Sequence, residues 1–470
     1  MDMLIDGEYV NDMDREDVIN PYTGEVIDTV PISHLNNVDK AIEAANNAKK
    51  FLQEMSAFKI SNKLFNVCDK LKENRDDFAE LLTKEVGKPI NESYVELDRS
   101  VETLKFAAEE AKRIYGESVP LDAGLNGKGF FAFTQKLPLG VVAAITPFNY
   151  PLNLTIHKIA PAIAAKNTVI IKPPTNAPLT VMKFSELVNE EFPDGVINVI
   201  TGYGSEVGDA LVASDKIDKI SFTGSVLTGL LIAQRAGMKK VTLELGGNDP
   251  LVVLEDANVD AAVKGVINGA YLNAGQVCMG VKRIIVQEGI YNKFKTRLVE
   301  ETSKIKIGNP MDKSTQLGTL ISEKAAMQVE ETVNNAVNAG AEILTGGKRN
   351  GAFYEATVID KVTPDMDLVV NETFGPVAPL IKVKTVDEAI QIANATEYGL
   401  QAGVFTENYM NAMRCANEIE AGTVFINKQS TFRTDNMPFG GFKNSGCGKE
   451  GIKYAVEEMT KTKLIGLNLR

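Results

Sequence analysis

Cys278 lies in the segment NAGQVCMG, flanked by Gly275 and Gly280 in a break between two apolar stretches. A free cysteine is by default a small core residue. A reactive thiol needs exposure and backbone donors instead, and this polar, glycine-rich setting offers both. Upstream, Glu244 ends the apolar run KVTLEL just before Gly246 and Gly247, where the chain can turn sharply and approach a ligand. A solvated Glu after a strand would also look like this. Asn149 stands in TPFNYP, a proline-bracketed turn after VVAAIT. Asn is a common turn residue, and an amide held this firmly is also what an oxyanion needs, because a preorganised donor reorganises little as charge develops. FTGS, residues 222–225, followed by Gly229, closes a strand and opens a helix whose free N–H groups suit a phosphate, although it departs from GxGxxG. Only His34 and His157 are present, so acid and base chemistry falls to Glu, Asp or Lys, and no multi-histidine metal site is expected.

The chain that must position these groups has 470 residues, 50 Lys plus Arg and 62 Asp plus Glu, for a net charge of −12. That balance argues against a nucleic-acid partner, which calls for clustered cations. Cys68, Cys278, Cys415 and Cys447 are far apart with no CxxC pair, which fits neither zinc nor a disulfide framework and points to a reducing cytoplasm. The acidic start MDMLIDGEYV is not an export signal. The uncharged stretch 137–157 contains Pro138, Pro147, Pro151, Asn149, Asn153 and His157, so it reads as strand, turn and helix rather than a membrane span, with His157 in the core.

After a short strand-like start, residues 38–55 and 60–86 carry helical periodicity and form a surface-packed layer. From residue 140 short apolar runs alternate with amphipathic segments: VVAAIT, TVIIK, VINVIT, KISFTG and KVTLEL. Such rotation means a parallel α/β sheet. A second βα series runs from PLVVL to GTVFIN, with the boundary at Gly246 and Gly247. Strand-like pieces near residues 130–135 and in the final forty residues belong to neither series and could pair with each other or with another subunit.

The four segments occur in the order and spacing of the aldehyde dehydrogenase superfamily, which the whole chain resembles. IIKPPT with Lys172, NETFGPV with Glu372 and Phe374, EYGL from Glu397, and PFGGFKNSGCG at residues 438–448 match as well. The resemblance implies a Rossmann-like cofactor domain (residues 1–120 and 140–245), an α/β catalytic domain (246–430) and a small β oligomerisation element (121–139 and 431–470), assembled as a homodimer or homotetramer. It implies Cys278 as nucleophile, Asn149 with the Cys278 N–H as oxyanion donors, and Glu244 as the base that activates water against a thioester. Thr146, Lys172, Thr175, Gly204, Phe222, Gly224, Ser225, Glu372 and Phe374 would bind NAD or NADP, with Lys172 near the adenosine ribose, Ser225 at the pyrophosphate and Glu372 on the nicotinamide ribose. Thr175 stands where NAD-preferring members carry an acid, which makes NADP acceptable.

KPPTNAP, TDNMPFGG and FAAEEAKR are similar to the branch holding non-phosphorylating glyceraldehyde-3-phosphate dehydrogenases and archaeal-type lactaldehyde dehydrogenases. Phosphate-reading members have an Arg before the nucleophile, where this chain has Val277, and their Arg near the TDN segment is displaced relative to Arg433. The expected substrate is therefore lactaldehyde or a similar small 2-hydroxyaldehyde, with Tyr150 and Val277 at the substrate. Arg99, Arg113 and Arg283 are left as possible anion partners. Three further readings compete: a cofactor-independent thiol hydrolase, a non-catalytic descendant, and an enzyme passing its thioester to coenzyme A.

Overall fold

In the computed structural model, which describes residues 1–469, the alternating segments form two sheets with parallel centres. The first has eight strands. Its five central strands run parallel in the spatial order Ile197–Val199, Thr168–Lys172, Val141–Ile145, Lys219–Thr223, Lys240–Glu244. From Val141–Ile145 the chain winds outward to one side, then crosses back to lay Lys219–Thr223 on the other. Such a reversal opens a crevice beyond the carboxyl ends of the two adjacent strands. These strands read as continuous Val, Ile and Ala because helices cover both faces, and Val141–Ile145, Thr168–Lys172 and Lys219–Thr223 are buried throughout. Met3–Ile5 and Gly446–Cys447 add antiparallel strands towards the two edges.

Gly246 and Gly247 lead directly from Lys240–Glu244 into Asp249–Val253, the first strand of the second sheet. That sheet has seven strands, ordered Glu342–Thr345, Thr357–Asp360, Val377–Val383, Val281–Gln287, Asp249–Val253, Gln401–Phe405, Thr423–Ile426. All its pairs are parallel except the first.

Residues 60–86 form two helices, Ala57–Glu73 and Arg75–Val86, broken at Asn74, whose side chain and N–H both turn back to the Lys70 carbonyl. The layer is more than a surface cover. Ile60, Leu64, Leu71, Phe78 and Leu82 are buried in the core beneath the first sheet, each worth about 1.5–3 kcal/mol of burial. Phe130–Pro138 and Thr460–Asn468 pair with each other in a nine-residue antiparallel ribbon that leaves Phe131, Leu464 and Leu467 exposed. Residues 431–459, grouped with that ribbon in the sequence reading, fold against the first sheet, where Ile452, Val456 and Met459 join its core. Among the described residues no helix is long and apolar enough to cross a membrane. The stretch 137–157 is the strand, turn and helix that its prolines suggested.

Candidate active site

The carboxyl ends of the central strands frame a cavity of about 500 Å³. All nine residues expected at the cofactor line it, and Asn149 and Cys278 stand at it as well. Thr146 follows Val141–Ile145, Lys172 and Thr175 close Thr168–Lys172, and Phe222, Gly224 and Ser225 end Lys219–Thr223. Glu372 and Phe374 arrive from the second sheet's side.

The walls suit a dinucleotide. Ser225 caps the ten-residue helix Val226–Arg235, its Oγ accepting the Thr228 N–H at 3.3 Å, so that a helix N-terminus favouring anions borders the cavity. A Cβ on Gly246 would lie 2.2 Å from Glu372 Oε2, so a bare backbone there is what admits the carboxylate. Glu372 accepts the Gly247 N–H at 3.3 Å, and burial pushes its carboxyl up to about 7 against the pull of Lys282. Lys172 donates to the Pro173 carbonyl at 3.0 Å, and burial lowers its ammonium to about 8.

The loop that carries the nucleophile is held in an unfavourable backbone shape. Asn273, Ala274 and Gly275 have φ of +49°, +53° and +73°, three left-handed residues in succession, of which two carry side chains. That costs roughly 1–2 kcal/mol for each non-glycine residue, so the surroundings must impose it. Glu92 accepts the Asn273 N–H at 2.9 Å, Asn273 Nδ2 donates to the Asn149 carbonyl at 3.1 Å, Gln276 Oε1 accepts the Ile321 N–H at 2.9 Å, and the buried Lys282 ammonium donates to the Gly275 carbonyl. At the end of this loop Cys278 is half-buried. Burial, with the Glu372 charge adding to it, pushes its thiol up to about 12.

Asn149 is buried, its Oδ1 accepting the Tyr150 N–H at 3.0 Å and its Nδ2 donating to the Gln276 carbonyl at 2.9 Å. One amide hydrogen remains for the cavity. The Asn149 carbonyl accepts the Lys88 ammonium at 2.8 Å, and Lys88 is ion-paired to Glu96. Both side chains are fully buried, and Glu96 Oε1 takes the Leu152 and Asn153 N–H groups at 3.0 and 3.1 Å, capping the helix Pro151–Ala164. Sequence reasoning missed this pair. The available signal was Glu96 on the same helix stripe as Leu97, Ser100 and Leu104, a charge where the helical period calls for an apolar residue.

Glu244 is buried at its strand end and does not line the cavity. Neither carboxyl oxygen has a hydrogen-bond partner, and burial together with the Glu450 charge pushes its pKa well up. It belongs to a buried ionic group. Glu450 pairs with Lys158 at 3.0 Å and Arg433 at 3.1 Å; Asp435 pairs with His157 at 2.8 Å and Arg99 at 2.7 Å. Burial pushes the Glu450 carboxyl up, but Lys158, His157 and Arg433 outweigh it and hold it at about 2. His157 is thus in the core as expected, but as a bonded member of this group, with burial and then Arg433 depressing its pKa.

A second cavity, of about 520 Å³, opens beside Tyr150, Arg99, Leu272, Phe432 and Arg433. Tyr150 and Leu272 pack with Cys278 against the small cluster of Val277, Met279, Leu400 and Phe439, so Cys278 borders the first cavity and neighbours the second. Val277 is buried in that cluster and lines neither cavity. Arg113 is at the surface, paired to Glu109 and Glu110, and Arg283 is buried against the carbonyls of Asn248, Ile392 and Ala393, so neither reaches a ligand here.

The aldehyde dehydrogenase family model matches residues 9–465. Lactaldehyde dehydrogenase from Methanococcus aeolicus is 42% identical over 473 residues, covering 100% of both chains. 3-Sulfolactaldehyde dehydrogenase from Priestia megaterium is 43% identical over 468 residues, covering 99% of this chain and 98% of that one. The crystal structure of a glyceraldehyde-3-phosphate dehydrogenase from Methanocaldococcus jannaschii complexed with NADP superposes with a TM-score of 0.94 at 42% identity, covering 98% of this chain and 99% of the other. A thiol between two cavities, on a fold and sequence matched from end to end, places the chain in the aldehyde dehydrogenase family as an enzyme that oxidises aldehydes with NAD or NADP.

Proposed function

We propose that the protein oxidises a small 2-hydroxyaldehyde, first of all lactaldehyde to lactate, through a thiohemiacetal and a thioester on Cys278. The position of Cys278, bordering the cofactor cavity and neighbouring the Tyr150 cavity, carries this reading. Sγ, its proton released to solvent water, adds to the aldehyde carbon, and the carbonyl oxygen becomes an oxyanion held by Asn149 Nδ2 and the Cys278 N–H. The nicotinamide, when bound, supplies the hydride acceptor. Water then attacks the thioester as Glu244 takes its proton, Cys278 leaves as the thiolate, and the free acid is released. A buried carboxylate with a raised pKa and no hydrogen-bond partner is suited to that task. Of the cations lining the second cavity, the two arginines are engaged and Lys428 lies over the Phe432 ring. Arg99 gives Nε and Nη2 to Asp435, and Arg433 gives Nη2 to Glu450, so both guanidinium charges are already matched, which would weaken a phosphate's claim on them. The exposed ribbon residues Phe131, Leu464 and Leu467 support assembly as a homodimer or homotetramer, and we place the enzyme in the cytoplasm.

The test compares lactaldehyde with glyceraldehyde 3-phosphate, each with NAD and NADP, by reduced-cofactor absorbance. The expected result is a kcat/KM for lactaldehyde at least about tenfold higher; preference for the phosphorylated aldehyde would reject the substrate. Cys278→Ala should abolish even the first turnover, and steady reduction surviving in it would end the covalent route. Ester cleavage at full rate in cofactor-free protein would instead favour a thiol hydrolase.

A further inference from the structure

Thr175 removes the acid expected beside the adenosine ribose, but the fold brings another carboxylate into that corner from the far end of the chain. Arg15–Ile19 and Val26–Pro31 pair as an antiparallel hairpin. It is tied to the first sheet where the Thr201 hydroxyl donates to the Pro31 carbonyl and the Ser33 N–H donates to the Thr201 carbonyl at 3.2 Å. Between hairpin and sheet lies a small recess lined by Glu16, Pro31, Pro174, Thr175, Thr201 and Gly202, among others. Pro174 and Thr175 also line the dinucleotide cavity, so the recess and the cavity meet at these two residues.

Glu16 is half-buried there and makes no salt bridge within 4.0 Å among the described residues. Its charge raises the phenol of Tyr203, the neighbour of Gly204 on the cavity wall, and works against the burial that lowers the Lys172 ammonium. The hairpin's own cation, Arg15, is occupied by Asp2 at 2.8 Å and by Thr29 at 2.8 Å. Lys172 is itself bonded to the Pro173 carbonyl and lies 3.4 Å from Thr175 Oγ1. Among the described residues the corner therefore holds one carboxylate and one partly committed ammonium, and no arginine fork for a phosphate.

We propose that Glu16 sets the cofactor preference: from the N-terminal hairpin it does the work of the missing acid at position 175, accepting the ribose 2′-hydroxyl and repelling a 2′-phosphate, so that the protein prefers NAD to NADP. A phosphate with about −1.5 to −2 charges at neutral pH meets a like charge in a half-buried corner, where screening is weaker than in bulk water. This rests on the reading of the first cavity as the dinucleotide site with Lys172 at the adenosine ribose.

Calorimetric titration of the full chain with NAD and with NADP, without aldehyde, tests it independently of turnover. The wild-type protein should bind NAD about tenfold or more tightly than NADP. Glu16→Gln should weaken NAD a few-fold and tighten NADP about tenfold, and Glu16→Lys should reverse the preference. Asp17→Asn removes the same charge from an exposed neighbour and should leave the ratio within about twofold. If both dinucleotides bind and the ratio is unmoved in both Glu16 variants, or moves equally in Asp17→Asn, the role of Glu16 is overturned while the dinucleotide site stands. If the wild-type protein binds neither, the cavity assignment itself falls and takes the proposal with it. Melting curves by circular dichroism confirm that each variant is folded.

Discussion

Two sets of buried charges meet the helix Pro151–Ala164, and they are finished differently. At its start Lys88 and Glu96 form a closed set: one carboxyl oxygen takes the ammonium, the other takes two backbone N–H groups, and the ammonium goes on to the Asn149 carbonyl. Further along, the set of Lys158, Glu450, Arg433, His157 and Asp435, with Glu244 beside it, leaves both Glu244 oxygens, Arg433 Nε and His157 Nδ1 without a partner. A satisfied buried pair fixes a backbone; unsatisfied buried polar atoms cost stability and persist where something else needs them. The first set holds Asn149 still, and the second keeps Glu244 available.

The same change made on each side gives the largest contrast. Glu244→Gln should lower turnover about 10³-fold while leaving a first-turnover burst of reduced cofactor, with urea stability unchanged or improved, because it removes an unpaired buried carboxylate. Glu96→Gln should instead cost about 3–5 kcal/mol in urea unfolding, because it strands the Lys88 ammonium in the interior. Equal destabilisation by the two would dissolve the distinction. Next in size, Asn149→Ala should lower kcat about 10²-fold with the dinucleotide Kd within about twofold, since it removes a donor but leaves the cofactor wall. A matching loss in cofactor binding would place Asn149 in the wall instead. The last contrast is in pH. A thiol pushed up by burial is protonated at neutrality, so its alkylation by iodoacetamide should rise about tenfold per unit between roughly pH 7 and pH 9. A plateau near neutrality would show a preformed thiolate.

The parallel rotation and the catalytic turns were legible because each is written in consecutive residues: apolar runs of strand length, and turns punctuated by Pro and Gly. The nine expected cofactor residues that line the first cavity came instead from the family resemblance. Lys88 and Glu96 were not legible, since Lys88 sits in the short link between Arg75–Val86 and Ile90–Glu110, Glu96 lies on the latter helix, and their partners Asn149, Leu152 and Asn153 are more than fifty residues away. Arg433 was read only by its displacement from the Arg of phosphate-reading relatives. Its pairing with Glu450, and that of Asp435 with Arg99 and His157, depends on residues 431–459 folding back onto the first sheet, which no local pattern announces. Val277 shows the opposite failure. Adjacent in sequence to the nucleophile, it points into an apolar cluster, because neighbouring residues in an extended or looped segment need not face the same way.

The strand Gly446–Cys447 completes the cofactor sheet beside Lys240–Glu244, about 200 residues after that strand has left the ribosome. At roughly 5–20 residues per second the nascent sheet waits some 10–40 s with one flank uncovered. During that interval the edge beside Lys240–Glu244 stays open to pairing with stray strands.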